Sequence, residues 1–244
     1  MSNILLDPLA YPIIAHRGAS GEYPENTMLA FARGLEQGAD AIELDVRATA
    51  DGVPVVLHDA TLERTTDGVG PLGAHTLASL KQVHARAAER VPTLAQVLET
   101  FPVTALLIEI KEWRVAAPLL AVIRAHAAEP RVVVAAFAGE VLRPFRHSGI
   151  DRAATRAEVA AFWLGSRVRF VWHVGHHGGF TVPEHSGVLR VVDRGFVVAA
   201  RRAGLPVHVW TVNERGNAER LRSLGVNGII TDYPGRMQRL AAGR

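Results

Sequence analysis

Short, continuous apolar runs alternate along the whole chain with longer amphipathic stretches. This alternation restricts the architecture more than any other feature of the sequence. The runs are PIIAH (12–16), DAIELDV (40–46), PVVLH (54–58), ALLIEI (105–110), RVVVAAF (131–137), AATR (153–156), PVHVWTV (206–212) and GIIT (228–231). Several are rich in Val and Ile with no polar alternation, the pattern of strands covered on both faces of a parallel sheet. Between them lie helical patterns: ENTMLAFARGLEQG, TLAQVLETF behind a Thr93 cap, WRVAAPLLAVIRAHAAE, AGEVLRPFRHSG, DRGFVVAARRAG and NERGNAERLRSLG. The last two end on a glycine stop. Eight strand candidates with intervening helices predict an α/β fold, a TIM-type (β/α)8 barrel. The 244 residues suit one such domain, 1–244.

The rhythm breaks once. Residues 59–91 form a long insertion after the third run, with a turn-rich TTDGVGPLG and a short helical TLASLKQVHA. Insertions after a barrel strand lie on the catalytic face, so this one is expected to act as a lid or to shape the substrate site. Residues 157–195 follow no clear pattern.

Several function classes are excluded early. The chain has no cysteine, which removes thiol catalysis and cysteine-ligated metals. No segment approaches the roughly 20 apolar residues of a membrane span, and MSNILLDPLAYP has no signal-peptide pattern. These features predict a cytoplasmic protein without stable membrane insertion. The formal net charge of +3 comes from scattered basic residues, with no stripe that would bind nucleic acid. A mild positive balance suits a small anionic substrate.

The polar residues gather at the C-terminal ends of the runs. The first ends in His16-Arg17, the second carries Glu43 and Asp45, the third ends in His58-Asp59, and the fourth carries Glu109 and Lys111. Trp210 and Asn213 close the seventh. Residues two apart on a strand point to one face, so Glu43 pairs with Asp45 and Glu109 with Lys111. Three carboxylates at one barrel rim repel one another unless a cation sits between them, and hard oxygen ligands suit Mg²⁺ or Ca²⁺. Two histidines supply an acid and a base near neutral pH. Arg17 and Lys111 add fixed positive charge, and together these groups can bind and polarise a phosphate. A single histidine at a strand end is ordinarily structural; the joint arrangement is what points to chemistry.

With these residues in hand, the chain resembles the glycerophosphodiester phosphodiesterases. The resemblance rests on HRG (16–18), PENT (24–27), IELDV (42–46), DGVPVVLHD (51–59), LERTTDGVG (62–70), VPTLAQVL (91–98), IEIK (108–111), VWTVN (209–213) and GIITDYP (228–234). It implies a TIM barrel with an insertion after the third strand. His16 and His58 become the acid–base pair, and Glu43, Asp45 and Glu109 hold one divalent cation, Mg²⁺ or Ca²⁺. Arg17 and Lys111 contact phosphate, and Phe137 and Trp210 wall the substrate pocket. Glu25, Asn26 and Asn213 brace the site, with Asn26 also capping the first helix. The implied reaction is hydrolysis of a small-molecule glycerophosphodiester to glycerol 3-phosphate and an alcohol. The fifth strand ends AAF, where many relatives of this family carry a serine, so Ala136 removes a hydroxyl.

Other readings stand beside this one. A lysophospholipase D-like enzyme on lipid phosphodiesters needs an apolar surface at the pocket mouth, which AFWLG and VRFVW (161–172) can supply. A non-catalytic phospho-ligand-binding barrel and a metal-dependent lyase or isomerase share the same fold. The histidine-rich loop with His173, His176, His177 and His185 is read as a late barrel loop, with a second metal site as its alternative. The leaving alcohol, a cyclic-phosphate path and the oligomeric state stay open.

Overall fold

The structure, a computed structural model, describes residues 3–168 and 177–241. The strands are β1 (Ile13–His16), β2 (Ala41–Ala48), β3 (Pro54–Val56), β4 (Ala105–Ile110), β5 (Val132–Ala135), β6 (Asp151–Arg152), β7 (Phe180–Pro183), β8 (His185–Ser186), β9 (Leu189–Arg190), β10 (Val207–Trp210) and β11 (Gly228–Thr231). The helices are α1 (Met28–Glu36), α2 (Leu77–Leu80), α3 (Leu94–Thr100), α4 (Trp113–Ala125), α5 (Arg156–Arg167), α6 (Arg194–Arg202), α7 (Arg215–Leu224) and α8 (Pro234–Ala241). Among the described residues no helix is long and apolar enough to cross a membrane.

Eight parallel strands run in the order β6-β5-β4-β2-β1-β11-β10-β7. One parallel bridge, Ala153 to Gly179, joins the two ends. There the Ala154 amide donates to the Gly179 carbonyl at 2.9 Å and the Gly178 amide to the Arg152 carbonyl at 2.8 Å. The sheet is thereby closed into the expected α/β barrel.

Strand parity then sorts every side chain. Ile42, Leu44 and Val46 of β2 face outward and are buried against Phe31, Leu94 and Leu119 of the surrounding helices. Ile14, Ala41, Leu107, Val133 and Ile230 face inward and fill the barrel. Leu5 of the N-terminal turn closes the bottom, and its carbonyl lies 2.8 Å from Nε2 of His208. One step further along the same inward parity come His16, Glu43, Asp45, Glu109, Trp210 and Asp232. The lower barrel is apolar and the upper rim carries the charge.

Helix starts follow local chemistry. Thr93 and Gln96 form a reciprocal capping box on α3, and Thr155 and Glu158 do the same on α5. Asp193 caps α6, and Gly225 ends α7 at φ 99°. The cap of α1 is Thr27, whose hydroxyl accepts from the Ala30 amide, and not Asn26.

The strand count of eight is as expected, but two members differ. The run at 54–58 is not a barrel strand: β3 is antiparallel to β2, pairing Val56 with Val46 and Pro54 with Ala48. The connection from β2 turns at Gly52, φ 80°, and is too short for a parallel crossover, which needs a dozen or more residues. The insertion therefore follows the second barrel strand and its hairpin. It packs around a small core of Val55, Leu57, Leu62, Leu72, Leu80 and Val83. The eighth barrel strand is instead β7, within the unpatterned 157–195 segment. The strand expected at 153–156 lies at 151–152, with Ala153 in the closing bridge. AGEVLRPFRHSG forms turns and a single 3₁₀ turn at Arg143–Phe145, because Pro144 lacks the donor a longer helix would use.

Candidate active site

Glu43 and Asp45 rise from β2, and the register sets Glu109 of β4 directly beside Asp45. One carboxylate oxygen from each of Glu43, Asp45 and Glu109 lies within 4.8 Å of the others. Glu43 and Asp45 are buried. The Lys111 ammonium bridges Asp45 Oδ1 at 2.8 Å and Glu109 Oε1 at 2.6 Å. Burial opposes charge on Asp45, but Lys111 and Arg17 outweigh it and hold the carboxyl below the usual range. Glu43 has less compensation. Burial, reinforced by the Asp45 charge, pushes its carboxyl up to about 8. The trio can coordinate a divalent cation. All its donors are hard oxygens, and a dication among them would remove the burial penalty that Glu43 carries.

Each candidate histidine is anchored by a carboxylate. His16 Nδ1 is 2.6 Å from Asp232 Oδ1, and its Nε2 is 3.9 Å from Glu43 Oε2. An ionised carboxylate only accepts, so Nδ1 carries the proton and Nε2 is left for chemistry. Burial opposes charge on His16, yet the Asp232 hydrogen bond and the Glu43 charge together raise its pKa. Asp232 is itself fixed by Ser20 Oγ at 2.9 Å and Asn213 Nδ2 at 2.6 Å. Asn213 returns the bond, accepting from the Asp232 amide at 2.9 Å. His58 Nδ1 is 2.6 Å from Asp59 Oδ1, and Arg64 Nε donates to Asp59 Oδ2 at 2.5 Å. Arg64, with His58, holds the Asp59 carboxyl far below its ordinary range.

The loop after β1 ties these pieces together. Arg17 Nη1 donates to Glu25 Oε1 at 2.9 Å, and its Nε is 3.1 Å from Asp45 Oδ2. Its amide donates to the Glu43 carbonyl at 2.9 Å. Asn26 Nδ2 donates to Asp45 Oδ2 at 2.9 Å, so Asn26 braces a member of the carboxylate trio. Arg17 and Asn26 sit at φ 55° and 57°, sparsely populated for such residues and held here by these bonds. Gly18 is required: at φ 82° a Cβ would lie 2.5 Å from the Ala30 carbonyl carbon. Arg64 also donates to both oxygens of Glu25, at 2.7 and 2.8 Å. The insertion thereby reaches across to the β1 loop.

Phe137 and Trp210 meet edge to face at 6.3 Å, beside a cis Trp210–Thr211 peptide bond. A cavity of about 500 Å³ opens outward from Glu109 and Trp210. Contacts link eleven of the twelve residues predicted from the sequence around one rim, and His58 connects to them through Asp59, Arg64 and Glu25. The described histidines of the late loop, His177 and His185, do not join them. His177 is buried with its ring 4.9 Å from Phe180, and His185 is exposed beside Glu184. His173 and His176 lie outside the described residues. Among the described residues the only grouping able to hold a metal is the Glu43, Asp45 and Glu109 trio.

Sequence reasoning assigns no role to Asp232, Ser20 and Arg64, and names Asp59 at a strand end without its role as the partner of His58. Asp232 was within reach, since it continues the inward parity of Ile230 at the end of β11. Asp59 follows His58 directly. Ser20 and Arg64 sit in loops, where no periodicity marks a direction.

A closed parallel barrel whose rim carries a carboxylate trio able to hold a cation, with the Asp232-anchored His16 beside it, is a metal-site type of barrel enzyme rim. Comparison with known proteins narrows this. Residues 16–236 match the model of the glycerophosphoryl diester phosphodiesterase family, to which the chain belongs; it is a phosphoric diester hydrolase. A glycerophosphodiester phosphodiesterase of Caldanaerobacter subterraneus subsp. tengcongensis is 35% identical over 237 residues, covering 91% of this chain and 94% of that protein. One from Bacillus altitudinis is 33% identical over 246 residues, covering 92% and 95%. Among solved structures, an Oleispira antarctica phosphodiesterase in complex with the product sn-glycerol-3-phosphate superposes with a TM-score of 0.79. It is 26% identical and covers 96% of this chain and 98% of its own.

Proposed function

We propose that this protein hydrolyses glycerophosphodiesters to glycerol 3-phosphate and an alcohol, with His16 and His58 as the acid–base pair. The observation that carries this reading is His16, its Nδ1 tied to Asp232, beside the Glu43, Asp45 and Glu109 trio, with a second carboxylate-tied histidine, His58, linked to the same loop through Asp59, Arg64 and Glu25. The product-bound relative supports glycerol 3-phosphate as the released phosphate ester.

Glu43, Asp45 and Glu109 would hold one divalent cation, and their all-oxygen character favours Mg²⁺ or Ca²⁺. Such a cation supplies charge neutralisation and polarisation at the phosphate. Arg17 and Lys111 orient the phosphate oxygens from the same rim and add fixed charge where it develops in the transition state. One histidine takes a proton from the nucleophile as the new P–O bond forms, the nucleophile being water itself or the neighbouring glycerol hydroxyl, whose cyclic phosphate water then opens to glycerol 3-phosphate. The other donates a proton to the departing alkoxide as the old P–O bond breaks. Asp232 and Asp59 fix each ring in the tautomer that leaves Nε2 for these transfers. Asn213, Ser20 and Arg64 hold those aspartates in turn. Phe137 and Trp210 wall the organic part of the substrate away from water.

His16→Ala and His58→Ala, assayed separately for glycerol 3-phosphate release, are expected to lose about 10²–10⁴ in rate. Near-normal turnover by either variant would remove that residue from the mechanism.

A further inference from the structure

The cavity beside Glu109 and Trp210 has a character that small polar alcohols do not explain. Helix α5 presents Arg156, Val159, Ala160, Trp163 and Leu164 to it, a helical stripe at i, i+3, i+4, i+7 and i+8. Such a stripe ordinarily faces a core. Here Phe162 is the one fully buried residue of α5, against Phe180 and Phe196, while Val159 and Trp163 pack on that core from one side and line the cavity from the other. Leu189 and Val191 form the opposite wall. Alanines at 135, 136, 154 and 160 leave the space open between the walls.

The walls are built rather than incidental. The Trp163 indole N–H donates to the Arg190 carbonyl at 3.2 Å, tying α5 to β9. The Arg167 guanidinium stacks on the same ring at 3.4 Å and is held by Asp193. The mouth is apolar as well, with Leu164 62% and Leu189 43% exposed. Arg156 lies over the Phe137 ring at 5.0 Å, taking an aromatic face that a quaternary ammonium would need and repelling a cation.

We infer that this pocket takes an uncharged apolar chain joined to the phosphodiester. The inference rests on the hydrolase reading and names its preferred substrate class. Glu109, a member of the carboxylate trio, lines the pocket, so a chain lying in it is contiguous with a phosphate at the rim. At about 500 Å³ the pocket is in the range of sites that enclose much larger ligands than glycerol or ethanolamine.

The test uses the full chain with two homologous series: n-alkyl esters of glycerol 3-phosphate, and 1-acyl-glycerophosphocholines below micellar concentration. One series is expected to gain about fourfold in kcat/KM per buried methylene until the pocket is full. Which series gains shows on which side of the phosphate the chain lies. Where the alkyl series is the one that gains, the neutral 3,3-dimethylbutyl ester should also be preferred over its charged isostere, the choline ester. Leu164→Glu, at an exposed position that the fold tolerates, should flatten the chain-length slope. Flat slopes in both series, with short diesters turned over, or a slope unmoved by Leu164→Glu, would overturn the inference. If no diester is hydrolysed at all, the hydrolase reading fails, and binding decides the pocket by itself. Calorimetry should then show n-octyl phosphate binding far more tightly than ethyl phosphate, and equal affinities would reject the pocket.

Discussion

Asp232 and His16 stand 216 residues apart in sequence, yet Asp232 Oδ1 meets His16 Nδ1 at 2.6 Å across the β1–β11 seam. The two strands are neighbours only because the barrel closes its N-terminal strand against its C-terminal one. The contact is therefore a direct product of the topology. It decides which ring nitrogen of His16 is free, and it outweighs burial in raising the pKa of the ring, with help from Glu43.

Asp232→Asn keeps the size of the side chain and removes its charge. Turnover is expected to fall by about 10² or more, because the amide no longer enforces one tautomer. The His16 titration, followed by NMR of the ring protons, should move downward. An unchanged titration would show that Asp232 does not set the state of this ring.

Metal-free protein should lose stability as pH rises. Glu43 has a folded pKa of about 8, above its ordinary 4.5, so the folded state binds the extra proton. That contribution is complete below about 4.5 and is lost as pH climbs through about 8. The raised His16 pKa acts in the same direction. Thermal melts in chelator should therefore fall between pH 5 and pH 8, with a smaller fall in Glu43→Gln. Added Mg²⁺ or Ca²⁺ should restore the wild-type melt at pH 8 by binding the folded state. A flat melting profile in chelator would contradict this account of Glu43.

Arg64 holds Asp59 and Glu25 together, and so links the insertion to the loop that carries Arg17. Its side chain is 48% exposed, so Arg64→Ala should cost no more than about 1 kcal/mol of stability. Catalysis should suffer more, by about tenfold in kcat, because both His58 and Arg17 lose a brace. Unchanged kcat with an unchanged melt would assign Arg64 to the surface alone.

Much of the site could be read from strand parity. His16, Glu43, Asp45, Glu109 and Lys111 sit on strands or at their ends, where a period of two sets the direction of each side chain. The same rule reaches Asp232 from Ile230. The error at 54–58 had its signal too: Asp51-Gly52 marks a hairpin, and so short a link cannot cross over to a parallel strand. Strand β7 was harder. FTVP is four residues long and lies beside glycines and histidines, with Val182 and Phe180 alone buried to give it an apolar face. The apolar pocket was hidden for another reason. The α5 stripe has the spacing of an ordinary core face, and only the fold shows that it turns toward the reaction centre.

The central claim is cation-dependent cleavage of a glycerophosphodiester. Its most direct measurement is release of glycerol 3-phosphate from a panel of choline, ethanolamine, glycerol and alkyl diesters, with and without chelator. The expected result is release that stops in chelator and returns with Mg²⁺ or Ca²⁺, and that Glu43→Gln makes dependent on at least about tenfold more cation. Release that continues undiminished in excess chelator, or none from any diester in folded, cation-loaded protein, would contradict the account.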